Sequence, residues 1–149
     1  MTMLDTRVIG RTERALGALM DGILDRTGGT FPQWIVLTMT TAAASRDRDG
    51  ATLRRALIEG PRLSPAHADE LLAEMVRLGL LEPVADDRPV RLTESGRAHH
   101  DTVRAAVNEV TAQVFGGLDP DDMAVAGRVL TVITARATAL ADRHTGVTA

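Results

Sequence analysis

The side chains in this sequence that could do chemistry are mostly guanidinium and imidazole groups. Arg54 and Arg55 are adjacent, Arg62 follows in a Gly60-Pro61-Arg62 turn, and Arg88 and Arg91 flank Pro89. Arg carries a planar fork of N–H donors that suits phosphate and carboxylate. Ser64 and His67 stand three residues apart with Pro65 between them, the pattern of a helix start. Both can donate hydrogen bonds from that exposed end, and a helix N-terminus itself favours an anion. The chemistry these groups could do is recognition of a phosphate-rich partner.

Other chemistry finds little support. His99 and His100 point about 100° apart on a helix and cannot chelate one ion together, so both read as helix-surface residues. His67 and His144 are distant in sequence, and no Cys exists to supply a thiolate ligand, a disulfide or a redox switch. No metal site and no cofactor are expected. Gly28-Gly29 and Gly116-Gly117 read as helix stops rather than phosphate loops. No Ser, His and Asp set has the motif context of a nucleophile, so the chain is not expected to be an enzyme.

Charge tempers the phosphate reading. All 17 basic residues are Arg, but Ala is abundant too, which points to coding bias as the source. The net charge is −3. Between Arg46 and Arg97, nine Arg stand against ten Asp plus Glu. A strong non-specific binder of nucleic acid would be basic there. Asp69 and Glu70 also fall just inside the helix opened by Ser64, where acid near the N-terminus would favour the helix dipole.

The elements that must position these groups are nearly all helical. A first helix from about Thr6 to Arg26 puts Ile9, Leu16, Met20 and Ile23 on one face, with Leu19 and Leu24 beside them. Thr30 caps a second helix, with Gln33 completing a capping box, and this helix fades at Ser45. Residues 46–50 form a polar turn. A short third helix from Ala51 to Ile58 faces Leu53, Ala56 and Leu57 inward. The fourth helix, from Ser64, stripes Ala68, Leu71, Leu72 and Met75, with Gly79 as its left-handed stop. Leu80 to Val84 and Val90 to Leu92 are short enough to be the arms of a hairpin around Ala85-Asp86-Asp87-Arg88-Pro89. Pro83 and Pro89 donate no N–H, so that hairpin would be small.

Two long helices close the chain. One starts near Thr93 and repeats Val103, Val107, Val110 and Val114. The other is capped by Asp119 with Pro120 at its first position, and repeats Met123, Ala126, Leu130, Ile133, Ala137 and Leu140. These three-four steps form a seam for another helix, and Val125, Val129 and Val132 add a second strip. A terminal helix apolar on two sides implies a neighbour in another subunit. The tail from His144 is expected to fray. No apolar run approaches the roughly 20 residues that span a bilayer, and the N-terminus lacks a signal-peptide layout, so a cytoplasmic protein without membrane contact is expected.

The order of these elements, mainly α with a small hairpin after the fourth helix, is the outline of a winged helix-turn-helix. Its motifs resemble the MarR family of bacterial winged-helix transcriptional regulators. Gln33-Trp34-x-Val36-Leu37 resembles the start of the family's second helix. Leu71-x-x-x-Met75-x-x-x-Gly79-Leu80-Leu81-Glu82 resembles the end of its recognition helix and first wing strand. Asp86-x-Arg88, followed by Leu92-Thr93-x-x-Gly96-Arg97, resembles the wing tip and return strand. Gly117-Leu118-Asp119-Pro120 resembles the opening of the last helix. The likeness covers nearly all of residues 1–149, as one domain.

The resemblance implies a homodimer whose base is formed by helices at about residues 6–27 and 94–143, with a DNA-reading module at about 50–93. It implies that Arg54, Arg55, Arg62, Ser64, His67, Arg88 and Arg91 meet duplex DNA, with Arg88 in the minor groove. The wing is short, since only Pro89, Val90 and Arg91 separate Arg88 from Leu92. The resemblance also implies a small-molecule effector bound between base and reading module, where Phe31 and Trp34 could line a pocket. Core packing is the competing reading of Trp34. The acidic, Arg-free start of the fourth helix motivates one alternative: a winged-helix dimer with little DNA affinity that binds a small molecule or a protein.

Overall fold

A computed structural model describes residues 3–41 and 47–145 of the chain. Six helices run in order: α1 (Thr6–Thr27), α2 (Phe31–Thr41), α3 (Gly50–Glu59), α4 (Pro65–Arg77), α5 (Glu94–Phe115) and α6 (Pro120–Thr145). The expected fade of the second helix at Ser45 and the start of the polar turn lie outside the described residues. Two compact units divide the chain, residues 1–110 and 111–149.

The first unit is built around the helices that carry the candidate site. Val36 and Leu37 of α2, Leu53 and Leu57 of α3, and Ala68, Leu72 and Met75 of α4 form one aliphatic core. Those residues recur at the three- and four-residue steps that put one helix face inward. Leu81, Val90 and Leu92 close the core from beyond α4. A second cluster joins Ile23 and Leu24 of α1 to Val103 of α5, with Trp34 packed against it. Only this last turn of α1 is buried; Leu16, expected on that face, and Leu19, expected beside it, are exposed.

Local chemistry explains where the helices begin and end. Thr30 N–H donates to Gln33 Oε1 at 3.0 Å and Gln33 N–H returns to Thr30 Oγ1 at 3.4 Å, the reciprocal capping box at the start of α2. Helix α4 ends with Gly79 at φ 71°. There Gly79 N–H donates to Val76 O and Leu80 N–H to Met75 O, both at 3.0 Å, so two terminal carbonyls are satisfied at once.

The Leu92-Thr93-x-x-Gly96 motif then fastens α5 to this stop. Thr93 N–H donates to Leu80 O at 3.1 Å, and Thr93 Oγ1 accepts from Gly96 N–H at 2.9 Å. A Cβ on Gly96 would lie 2.0 Å from Leu80 O. Glycine is therefore required for the close approach, not for an unusual backbone angle.

The hairpin expectation needs correction. Among the described residues there is no strand, only isolated antiparallel bridges Leu81↔Leu92 and Asp49↔Pro89. One cross-arm bond, Glu82 N–H to Arg91 O at 2.9 Å, accompanies the first bridge. The ladder stops because Pro83 and Pro89 have no N–H to continue it. Val90 N–H, which could have served the hairpin, donates instead to Arg48 O at 3.0 Å. The second arm thus pairs with the segment leading into α3.

In the second unit, Asp119 accepts from Asp121 and Asp122 N–H and starts α6 with Pro120 at its first position. The helix is longer than expected and includes His144 and Thr145; the rest of the tail lies outside the described residues. Its apolar seam is exposed along its length, with Leu130 and Ile133 both 40% exposed. By length and composition α6 would also suffice to cross a membrane, contrary to the expectation from the sequence. Arg128 and Arg136 lie inside that span, and each would cost about 3 kcal/mol near a bilayer centre.

Candidate nucleic-acid interface

Helices α3 and α4, joined by the Gly60–Ser64 turn, form a helix-turn-helix whose outer face carries most of the candidate residues. Ser64 caps α4 by accepting from His67 N–H at 3.2 Å, leaving its hydroxyl proton free to donate outward. Arg62, in the turn, holds φ 59°, a left-handed conformation that costs a non-glycine residue about 1–2 kcal/mol. Its side chain is exposed beside the start of α4. Arg55 is exposed on α3, while Arg54 is partly covered.

The acid at the start of α4 has a different cause from the one expected. Asp69 and Glu70 fall in the second turn of α4, beyond the N–H groups that make the dipole effective. Asp69 instead accepts a two-pronged bond from Arg54 of α3, Nε to Oδ1 at 2.5 Å and Nη2 to Oδ2 at 3.0 Å. That bond holds the Asp69 carboxyl below the ordinary aspartate range and raises the Arg54 guanidinium further. Arg54 and Arg55 thus share the α3 surface, but they are not equivalent. Glu70 faces another way. With Glu74 and Arg77 it lines a groove of about 450 Å³ beside Thr30 and Pro32, and His67 opens onto the same groove.

The loop after α4 is tied to α3. Gly50 N–H donates to Ala85 O at 3.1 Å and Ala51 N–H to Asp86 O at 3.3 Å. Asp49 caps the same helix by accepting from Thr52 N–H at 2.8 Å, and hydrogen bonding from the Thr52 side chain first and its N–H second lowers the Asp49 pKa. The N-terminal amides of α3 are thereby spent on the protein and offer no phosphate site. A Cβ on Gly50 would meet Ala85 O at 2.4 Å, so this docking also needs glycine. Arg88 is exposed at the tip of the loop and Arg91 is exposed on its return arm.

No protein-family model and no curated protein sequence matches the chain. Solved structures do. The Mycobacterium tuberculosis MarR family protein Rv2887 in complex with DNA matches with a TM-score of 0.64 at 20% identity, over 89% of this chain and 98% of that one. CouR from Rhodococcus jostii, bound to p-coumaroyl-CoA, gives 0.68 at 20% identity over 85% and 88%. The transcriptional regulator PA3341 gives 0.70 at 25% identity over 89% and 96%. This chain has the MarR-family fold.

Within the MarR fold of this chain, the two aromatic candidates differ. Phe31 is exposed at the start of α2. Trp34 packs against Ile23, Leu24 and Val103 and stacks on His100, with ring centroids 5.3 Å apart and planes 16° off parallel. His100 is not the surface residue expected: it is only 4% exposed. Its Nε2 lies 3.1 Å from Thr41 Oγ1 and its Nδ1 3.2 Å from Asp101 Oδ1. Which of Nε2 and the Thr41 hydroxyl donates in their bond follows the imidazole tautomer. Periodicity could have placed His100 inside, because it precedes buried Val103 by three residues. Asp69 gave no such signal, since its partner lies fifteen residues away on another helix.

Proposed function

We propose that this chain is a homodimeric transcriptional regulator that binds duplex DNA through α4 and the loop that follows it, as a short wing, and that a small molecule tunes this binding. The observation that carries the reading is the helix-turn-helix surface in a MarR fold. Ser64 and His67 stand at the exposed start of α4, Arg62 is held beside it, and Arg54 and Arg55 lie on α3. Base edges would meet the start of α4, while Arg55, Arg62, Arg88 and Arg91 supply phosphate contacts. Support comes also from structural neighbours, one solved with DNA and another with p-coumaroyl-CoA.

The exposed apolar seam of α6, together with Leu16 and Leu19 of α1, supports a second copy as its cover. The alternative of a membrane is disfavoured by Arg128 and Arg136. The effector reading keeps Phe31 and Trp34 as lining residues. It predicts an apolar, aromatic-bearing ligand, because both are carbon-rich surfaces with no charge of their own. The reading is of a cytoplasmic, non-enzymatic protein.

A second reading is favoured by a specific observation: Arg54 is paired with Asp69, and the module between Arg46 and Arg97 is close to neutral. A dimer with weak DNA affinity would then act on a ligand or a protein. Titration of labelled duplex DNA across salt concentrations separates the two. The regulator reading expects binding that falls steeply with salt, log K declining by about 0.9 per phosphate contact. Absence of binding at low salt would refute it.

A further inference from the structure

We infer that Asp69 is a positioning residue, which holds the Arg54 guanidinium in a fixed pose on the DNA-facing surface instead of repelling the phosphates. This rests on the DNA-binding reading above and assigns a role to the residue that most opposes it.

The geometry starts from two helices held in fixed relation. Leu53 and Leu57 of α3 pack with Ala68 and Leu72 of α4, all buried, so the backbones that carry Arg54 and Asp69 cannot drift apart. Arg54 follows Leu53 and Asp69 follows Ala68, so each emerges at the edge of that packed seam. Their two-pronged bond, at 2.5 and 3.0 Å, lies at the surface, with the Arg54 side chain 37% exposed and Asp69 56% exposed. A two-pronged bond fixes the plane of the guanidinium as well as its position.

The bond uses two of the five N–H donors of Arg54. Both on Nη1 and one on Nη2 remain to meet an outside acceptor. The pair is neutral as a whole, so its attraction for distant phosphates is small. What it offers is a rigid fan of donors at short range, and phosphate contacts of that kind set register more than affinity. Asp86 also lines the groove beside Arg54 and acts on it through space. A freed Arg54 would therefore have a second carboxylate to turn toward, away from the position that Asp69 enforces.

Simple electrostatics and positioning make opposite predictions. If Asp69 were only a negative charge near DNA, its removal would strengthen binding. If it positions Arg54, its removal weakens binding while Arg54 is present and strengthens it once Arg54 is gone. The test uses the full chain and a labelled mixed-sequence duplex at low salt, since a phosphate contact needs no particular sequence. Asp69→Ala, Arg54→Ala and the double variant are titrated by fluorescence anisotropy, with thermal melts to verify folding.

Asp69→Ala is expected to lose about five- to tenfold in affinity and Arg54→Ala to lower the salt slope by about 1. In the Arg54→Ala background, Asp69→Ala is expected to raise affinity. The fall in salt slope on Arg54→Ala, at an unchanged melting temperature for Asp69→Ala, is the readout that a merely structural clasp would not give, because the slope counts a phosphate contact. Equal or tighter binding by Asp69→Ala in the otherwise unchanged chain overturns the inference. Should Asp69→Ala fail to fold, Asp69→Asn decides by the same criterion, because it keeps the shape and loses the charge. If the unchanged chain does not bind the duplex at all, the regulator reading falls and this inference with it.

Discussion

Replacing Gly96 by Ala adds one methyl group in the first turn of α5, where Ala is ordinarily the better residue by up to about 1 kcal/mol. Here it should do the opposite. The new Cβ would stand 2.0 Å from Leu80 O, 2.9 Å from Leu80 C and 3.2 Å from Leu80 Cα. All three are backbone atoms, and Leu80 is held by its own N–H bond to Met75 O at 3.0 Å. Relief requires opening the gap by about 1.5 Å to reach ordinary packing distance. That would stretch the bond from Thr93 N–H to Leu80 O, now 3.1 Å, beyond hydrogen-bonding range. It would also disturb the Thr93 bond to Gly79 O. Lost hydrogen bonds contribute about 1 kcal/mol each, and forced repacking adds about 1–3 kcal/mol. After the gain in helix propensity, the net loss is about 2–4 kcal/mol. For a chain of this size the melting temperature should drop by roughly 5–15 °C. Scanning calorimetry or circular dichroism melts would measure it. Gly17→Ala is the control, because a methyl group at that point of α1 would meet nothing within 4 Å. It should be neutral or stabilising by up to about 1 kcal/mol. A Gly96→Ala protein that melts at or above the unchanged chain would refute the close-approach reasoning.

Three further outcomes are expected. His100→Ala should destabilise the first unit by about 2–4 kcal/mol, since it empties a buried site and leaves Trp34 unstacked; denaturant titration followed by fluorescence reports it directly, because Trp34 is the only Trp. Leu130→Glu combined with Ile133→Glu should convert a dimer to monomer in sedimentation velocity, and an unchanged mass would remove α6 from the interface. Asp49 and Asp69 both titrate below the ordinary aspartate range in the folded chain, through the Thr52 hydrogen bond and the Arg54 bond respectively. The stability each contributes is therefore complete at neutral pH and lost as pH falls through its lowered value. The gap in unfolding free energy between the unchanged chain and Asp49→Ala or Asp69→Asn should close toward acid pH, and a gap independent of pH would contradict these assignments.

The helices were legible in the sequence because their causes are local. A capping box at Thr30 and Gln33, a capping Ser64 before Pro65, a left-handed Gly79 and a capping Asp119 each act within one turn of chain. The stripes that became the core, such as Ala68, Leu71, Leu72 and Met75, are read by counting threes and fours. The hairpin was less legible, although its limiting residues were in plain view. Pro83 and Pro89 indicated a small ladder, but the diversion of Val90 N–H to Arg48 depends on where α3 begins in space.

The candidate site divides along the same line. Residue types and order determined that Ser64 and His67 open a helix, that Arg62 lies in a turn and that Arg88 sits at a loop tip. Only the tertiary structure decided what their neighbours do to them. Packing of α3 on α4 brings Arg54 to Asp69 and turns an apparent obstacle into a partner. Stacking of α5 on α2 buries His100 against Trp34. The approach of α5 to Leu80 makes Gly96 indispensable. Each of these depends on the distance between groups far apart in the chain, and such distances are set by the packing of whole helices rather than by any local run of residues.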